Sequence, residues 1–142
     1  MTDLQGAIGQ VQLKKLDYFI EERNKWGNFY KRELADIEWI ILPEFSVEFQ
    51  HGLQSFVILV EENKSPFSRN EIMEKLLEKG ISSRPGTHAV HMLRYYKDKY
   101  QILPEDFPGA QIANDKSISI PIHNQMVKED FEYVVQCIKN IY

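Results

Sequence analysis

The stretch "SFVILVEENKSPFSRNEIMEKLLEKGISSR", residues 55–84, decides the fold class, because its hydrophobic period changes from strand to helix and back. Residues 55–62 form a continuous β-branched and aromatic run, which is typical of a buried strand. Ser68 and Glu71 match a capping box, in which two side chains satisfy free backbone N–H groups at the start of a helix. Gly80 stands where helices commonly end in a left-handed conformation, and a short strand is predicted over 81–84. Three apolar residues of the helix are expected to face inward: Ile72, Leu76 and Leu77.

The remaining elements flank this unit. "SISIPI", residues 117–122, alternates isoleucines with the strand period, and Pro121 places it at a sheet edge or at the end of the strand. The last helix, 128–141, carries an apolar stripe at helical spacing: Phe131, Val134, Val135 and Ile138. Residues 1–34 predict a long helix, or a helix with one bend, that begins at a second capping box. With a loop between the last two strands, we expect an α+β fold. It has a long N-terminal helix, then a small, mainly antiparallel sheet of about three strands with helices on one face.

The predicted first helix is apolar on two faces. One face carries Leu4, Ala7, Ile8 and Val11, and the other carries Leu13, Leu16 and Ile20. A helix of this kind is normally packed between two bodies, whereas the remainder of the chain supplies one. We therefore expect one of the two faces to be exposed or used in self-association.

The composition is that of an ordinary globular domain, and 142 residues make one domain. A net charge of −4 and the lack of a lysine or arginine cluster argue against a nucleic-acid partner. No apolar run reaches the roughly 20 residues that span a bilayer, and no secretory signal is evident. The single cysteine, Cys137, fits a reducing compartment. We therefore expect a cytoplasmic protein that binds neither nucleic acid nor membrane.

Residues 80–96, "GISSRPGTHAVHMLRYY", hold the densest group of polar and aromatic side chains. Metal binding by His88, His91 and His123 is not expected, since no carboxylate stands at ligand spacing. Cys137 lies in the last amphipathic helix, where a structural thiol is the usual outcome. The guanidinium, imidazole and phenol groups of 80–96 suit the recognition of phosphate or of sugar hydroxyls. The alternative is a surface loop with aromatic side chains tucked beneath it.

Three segments resemble one family, in the same order along the chain. "MTDLQGAIGQVQLKKLDYFIEERN", residues 1–24, is similar to the helix after the cofactor-binding domain of the DegT/StrS family of pyridoxal-phosphate-dependent sugar aminotransferases. "EKGISSRPGTHAVHMLRYY", residues 78–96, resembles the loop before that family's final third. "EDFPGAQIANDKSISIPIHNQMVKEDFEYVVQCI", residues 105–138, resembles its closing strand and helix. The resemblance covers nearly the whole chain and is to the C-terminal part of the family.

The resemblance implies that this chain and a large cofactor-binding domain have different roles. Residues 1–37 would form the interdomain and dimer-interface helix, and residues 38–142 the C-terminal small domain of a fold-type-I aminotransferase. The lysine, acidic residue and phosphate cradle that serve pyridoxal phosphate would precede Met1. We therefore expect no catalytic, cofactor-binding or metal-binding residue in this chain, which should not transaminate alone. The complete enzyme would bind pyridoxal phosphate, take a nucleotide-sugar substrate and form a homodimer, with the large domain supplied in cis or in trans.

The resemblance also assigns substrate-binding residues in the loop: Arg84, His88, His91 and Tyr95. His91 falls on the family's recurrent histidine, and Arg84 matches the arginine of its "TRP" loop variants. Gly86 and Thr87 stand where many members carry a His-Tyr or His-Phe pair, which implies a different substrate. Two other interpretations are a non-catalytic substrate-binding or interaction module, and a degenerate remnant of such an enzyme.

Overall fold

A computed structural model describes residues 1–46 and 48–141 as a mixed α+β chain. In chain order the helices and strands are α1 (Asp3–Leu13), α2 (Leu16–Glu33), β1 (Ile40–Ile41), β2 (Phe56–Val60), α3 (Arg69–Glu78), β3 (Arg84–Pro85), α4 (Arg94–Tyr100), α5 (Pro108–Lys116), β4 (Ser117–Ile120) and α6 (Lys128–Lys139). Single 3₁₀ turns at Val90–Met92 and Pro104–Asp106 precede α4 and α5. The predicted α+β class is confirmed.

Within residues 1–46 and 48–141, the sheet has four strands in the order β1-β2-β4-β3, and every neighbouring pair is antiparallel. Phe56 lies opposite Ile120 at one end of the central pair, and Arg84 lies opposite Ser119 on the edge strand β3. The sequence predicted about three strands and missed β1. That strand is two residues long, too short to show a period of its own. The predicted strand end before Pro121 is confirmed, since β4 stops at Ile120.

The core lies where the sheet meets α2, α3 and α6. The inward side chains of the two central strands are buried with the stripe of α6, with Tyr30 of α2 and with Leu34 directly after α2. These core residues are Phe56, Ile58, Ile118, Ile120, Phe131, Val134, Val135, Ile138, Tyr30 and Leu34. Burial of one such side chain stabilises the fold by about 1.5–3 kcal/mol. From α3, Ile72 and Leu76 join this core, but Leu77 is 64% exposed, so its predicted inward position is wrong. Leu77 lies about 100° around the helix from Leu76 and so faces solvent.

The local signals at the helix ends are confirmed. At α3, the Ser68 hydroxyl accepts a hydrogen bond from the Glu71 backbone N–H, and the Glu71 carboxylate accepts one from the Ser68 backbone N–H. The hydrogen bond from the Ser68 hydroxyl holds the pKa of Glu71 below its ordinary value. Thr2 and Gln5 form the same reciprocal pair at α1. Gly80 ends α3 with a φ of +76°, a conformation that a side chain would strain.

The predicted loop between β3 and β4 contains helices α4 and α5, so that expectation is wrong. Helix α4 is short and held by its own side chains: Arg94 lies 3.5 Å from Asp98, and Lys99 Nζ lies 3.1 Å from Tyr95 Oη. Pro108 occupies the first turn of α5, where its missing N–H costs nothing. Short helices of this kind leave no sustained apolar period in the sequence.

The predicted first helix is interrupted at Lys14–Lys15, so the alternative with one bend is confirmed. Helix α1 buries none of its residues. Its first apolar face is open to solvent, with Leu4 72%, Ile8 56% and Val11 52% exposed. The predicted exposure is therefore confirmed, whereas self-association stays a prediction. No helix in residues 1–46 and 48–141 combines the length and apolarity needed to cross a bilayer.

Candidate functional site

A cleft of about 720 Å³ opens at one end of the sheet, where β4 ends and β3 begins. Its volume falls within the roughly 300–1,000 Å³ typical of small-molecule sites. The lining residues come from five places: the segment before β2, the turn after α3, the strand β3, the end of β4 with its following loop, and the first two turns of α6. They are Gln54, Ser55, Gly80, Ile81, Ser82, Arg84, Ser119, Ile120, Pro121, Ile122, His123, Met126, Asp130, Tyr133 and Val134.

The polar side chains of the cleft are fixed by hydrogen bonds at its α6 side. The Asp130 carboxylate accepts from the Val127 backbone N–H at 2.9 Å, which caps the start of α6. The Tyr133 hydroxyl donates to the Lys79 carbonyl at 2.9 Å and so ties α6 to the end of α3. The Cys137 thiol, one helical turn away on α6, raises the pKa of the Tyr133 phenol.

Arg84 supplies the positive charge of the cleft, over a partly apolar floor. It lies on the edge strand β3, where pairing with Ser119 fixes its backbone. The floor beneath it includes three residues whose side chains are buried in the core: Ile81, Ile120 and Ile122. A guanidinium with nearby hydroxyls above an apolar surface can bind a ligand with several oxygen atoms, such as a phosphate or a sugar.

The buried side chain of His91 makes contacts with other parts of this chain. It is only 7% exposed, and its Nε2 lies 3.3 Å from the Pro104 carbonyl oxygen. Its ring also packs against Phe107, with the ring centroids 5.1 Å apart. These contacts join the turn before α4 to the turn before α5, a structural use of the imidazole. Its predicted contact with substrate stays a prediction.

His88 and Tyr95 are exposed, and neither is among the residues that line the cleft. Tyr95 belongs to an aromatic group on α4, with Tyr96 at 5.2 Å and edge-on to it, and Tyr100 stacked 6.3 Å from Tyr96. Of the four predicted substrate-binding residues, Arg84 is the one that lines this cleft within the described chain. The structure therefore divides the predicted loop into a strand residue in the cleft and a separate surface around α4.

Sequence reasoning missed His123, Asp130 and Tyr133 as members of the cleft. They lie 39 or more positions beyond Arg84 and carry no local motif. Asp130 and Tyr133 look like the polar face of an amphipathic helix, and His123 looks like a loop residue. Only the tertiary fold brings them to one cleft, because α6 packs across the end of the antiparallel sheet.

The floor of the cleft is bound to helix α2. The buried Tyr30 hydroxyl donates to the Pro121 carbonyl at 2.8 Å, and burial raises the pKa of this phenol. Arg23 Nε donates to Asn124 Oδ1 at 2.8 Å, and Asn124 in turn donates to the Phe19 carbonyl at 3.3 Å. These three hydrogen bonds hold residues 121–124 against α2.

The residues present do not fit the covalent attachment of pyridoxal phosphate. A lysine that serves this cofactor lies in a desolvated pocket, which lowers the pKa of its amine. No lysine in residues 1–46 and 48–141 is buried, and none lines the cleft. The half-buried lysines have other neighbours: Lys31 lies over Phe45, Lys75 over Phe67, and Lys116 lies 3.6 Å from Glu62. Within the same residues, no group of three histidine, cysteine or carboxylate side chains could hold a metal ion.

The sequence model of the DegT/DnrJ/EryC1/StrS aminotransferase family matches residues 1–139. The chain belongs to this family. The resemblance read from the three segments is thereby confirmed.

Individual relatives show how much of a family member the chain represents. It is 28% identical over 142 residues to the spore coat polysaccharide biosynthesis protein SpsC of Bacillus subtilis, covering 99% of this chain and 36% of SpsC. PseC of Helicobacter pylori, an aminotransferase involved in the biosynthesis of pseudoaminic acid, shares the fold with a TM-score of 0.88 and 19% identity. The match covers 98% of this chain and 37% of PseC. The chain therefore spans about a third of the length of its relatives.

A further structural relative has been solved with the cofactor. Spr1654 of Streptococcus pneumoniae matches with a TM-score of 0.86 and 23% identity, over 98% of this chain and 35% of its own in the pyridoxal phosphate form. Its pyridoxamine phosphate form matches equally well. These likenesses show that the chain has the fold of about one third of an aminotransferase.

Proposed function

We propose that this chain is the C-terminal part of a pyridoxal-phosphate-dependent aminotransferase that acts on keto-sugar nucleotides in amino-sugar or polysaccharide biosynthesis. The observation that carries the proposal is the family match over residues 1–139. Support for a partial enzyme comes from the one-third coverage of relatives and from the lack of a buried lysine in the described residues. The cofactor would supply the amino-group chemistry when bound to a large domain. This chain would supply substrate contacts and a surface for assembly.

Within that enzyme, residues 1–37 would join the two domains and residues 38–142 would form the small domain. Arg84 would bind an anionic or hydroxyl oxygen of the substrate from the cleft. His88 and Tyr95 would contribute from the surface around α4, and His91 would hold that surface in place. We also propose a homodimer in the cytoplasm, in keeping with the single cysteine of the chain.

The lack of cofactor binding by the isolated chain can be measured directly. Titration with pyridoxal phosphate, followed by borohydride reduction and peptide mapping, should give only weak labelling scattered over the exposed lysines. A stoichiometric adduct on one lysine would show that the chain carries its own cofactor site, and the proposal of a partial enzyme would be wrong.

The substrate role can be tested by supplying the large domain of a related enzyme in cis or in trans. In the active assembly, Arg84→Ala should raise KM about tenfold or more and leave kcat nearly unchanged, because a contact made equally in ground and transition states is lost. Arg32→Ala is the matched control, since Arg32 is exposed on α2 and pairs with Glu33. A collapse of kcat with KM intact would place Arg84 in the chemical step, and unchanged kinetics would remove it from the site.

A non-catalytic binding module is the second candidate, favoured by a cleft that holds Arg84 but no lysine. The isolated chain would then bind a nucleotide sugar without the large domain. Calorimetric titration with a uridine or thymidine diphosphate sugar separates the candidates. Saturable binding that Arg84→Ala weakens favours the module, and no binding favours the partial enzyme.

A further inference from the structure

Residues 86–89 form a short segment that is held at both ends against the junction of α5 and β4. We call this segment the strap. At its start, the Gly86 backbone N–H donates to the Ser117 carbonyl oxygen at 3.3 Å. At its end, the Ala89 backbone N–H donates to Asn114 Oδ1 at 3.0 Å, and Ala89 is only 3% exposed. One residue of β4 and one of α5 therefore fix the two ends of the strap.

The two residues between these ends, Thr87 and His88, are exposed. His88 is one of the residues to which we assign contact with the substrate. A side chain on a backbone that is already fixed loses less conformational entropy on binding than one on a mobile loop. The strap therefore determines where the imidazole of His88 is offered to a ligand.

The start of the strap lies too close to the sheet for any side chain. A Cβ at Gly86 would lie 2.5 Å from Val57 Cγ1 and 2.8 Å from Ser117 Cβ. Ser117 is only 1% exposed, and its hydroxyl donates to the Ala113 carbonyl of α5. A buried side chain that is held in this way cannot move aside cheaply. The glycine thus allows the backbone of the strap to reach β4.

Helix α3 contacts the same point of β4. Arg69 Nη1 donates to the Ser117 carbonyl oxygen at 3.3 Å, so this oxygen accepts from α3 as well as from the strap. Within the described residues, Arg69 Nε is buried without a hydrogen-bond partner. A buried donor of this kind lowers stability. Stability alone therefore does not account for an arginine here, whereas the hydrogen bond made by its other nitrogen does.

We propose that Asn114 and Arg69 are positioning residues, which hold the strap so that His88 is presented to the substrate in one place. Asn114 acts on the backbone of Ala89, and Arg69 acts through the carbonyl oxygen that binds the start of the strap. The Asn114 side chain is itself oriented, because its Nδ2 donates to Asp115 Oδ1 at 2.8 Å. This inference rests on the substrate role proposed above for His88.

Hydrogen exchange of single amides, measured by NMR on the isolated chain, tests whether the strap is held as described. Asn114→Ala should speed exchange of the Ala89 amide by about tenfold or more, and Arg69→Met should do the same for the Gly86 amide. The amides of α6 should keep their parent rates in both variants. Arg69→Lys retains a donor and should restore the parent rate at Gly86. Asn63→Ala is the control, since Asn63 is exposed and lies outside the strap, and it should change neither amide.

A double-mutant cycle tests whether Asn114 acts through His88. In an active assembly with a large domain, His88→Ala and Asn114→Ala should each raise KM about threefold or more and leave kcat nearly unchanged. The double variant should raise KM no further than His88→Ala alone. Additive effects would mean that Asn114 acts independently of His88, and they would overturn the positioning role.

The exchange rates and the kinetics fail separately. Strap amides that exchange at parent rates in both variants overturn the proposal, as does an equal acceleration in α6, which would make the two residues general stabilising contacts. If the strap amides are accelerated as expected but His88→Ala leaves KM unchanged, the strap is held by these residues and the substrate role of His88 is wrong.

Discussion

Helices α1 and α6 have nearly the same length, 11 and 12 residues, but they differ in how far they are buried. Each carries apolar residues at helical spacing, and each has a side chain that caps its first turn. Yet α6 buries four residues against the sheet and α2, while α1 buries none. The comparison shows that an amphipathic sequence specifies a face but not its partner. The partner of α6 lies in this chain, and we infer that the partner of α1 lies in another chain or domain.

Truncation of one side chain in each helix should give the largest difference in the free energy of unfolding. Phe131 is fully buried and stacks on Trp26 with centroids 4.2 Å apart, so Phe131→Ala should lower the free energy of unfolding by about 3–5 kcal/mol. Ile8→Ala should change it by less than about 0.5 kcal/mol. Urea denaturation at concentrations that keep the chain monomeric measures both. Equal losses in the two variants would mean that α1 packs as firmly as α6.

Removing the hydrogen bond between α2 and the segment after β4 should lower the free energy of unfolding by a smaller amount, and this amount should depend on pH. Tyr30→Phe removes the hydrogen bond to Pro121 and should cost about 1–2 kcal/mol. Because the pKa of Tyr30 is raised in the fold, its contribution is complete below the ordinary tyrosine pKa of about 10 and is lost as pH rises above that value. Unfolding curves between pH 8 and 11 should therefore fall more steeply for the parent than for Tyr30→Phe. The control Tyr18→Phe, on the exposed side of α2, should follow the parent.

Removing each of the two capping boxes in turn compares α3, which is packed in the core, with α1, which is not. Ser68→Ala should lower the free energy of unfolding by about 1 kcal/mol, because α3 is part of the cooperative core. Thr2→Ala removes the same chemistry from α1 and should leave the unfolding midpoint unchanged while reducing helical circular dichroism slightly. A lower midpoint for Thr2→Ala would show that α1 unfolds with the core.

Protonation of Glu71 in the capping box of α3 should have the smallest effect on the free energy of unfolding. The pKa of Glu71 is lowered by the Ser68 hydroxyl, so its contribution is present above the ordinary glutamate pKa of about 4.3 and is lost as pH falls through the lowered value. Glu71→Gln should flatten this part of the acid unfolding curve. An identical curve for parent and variant would show that the bond does not persist in solution.

Local signals in the sequence predicted what local chemistry determines. Both capping boxes, the left-handed Gly80 and the stripe of α6 follow from interactions within a few residues. The strand β1 and the short helices α4 and α5 were missed, because their stability comes from pairing and packing with distant segments. In the cleft, Arg84 was identified through family resemblance. Asp130 and Tyr133 could not be, since only the packing of α6 across the sheet brings them beside it.

Hydrogen exchange measured by mass spectrometry tests the central claim most directly, since it compares Asp3–Leu13 with Lys128–Lys139 in one sample. In the dilute monomer we predict that the amides of α1 exchange within about tenfold of unstructured peptide rates, whereas those of α6 exchange only with global unfolding. Protection of α1 should then appear when a second copy or a large domain covers it. Amides of α1 as protected as those of α6 in the monomer would contradict the claim that α1 lacks a partner within this chain.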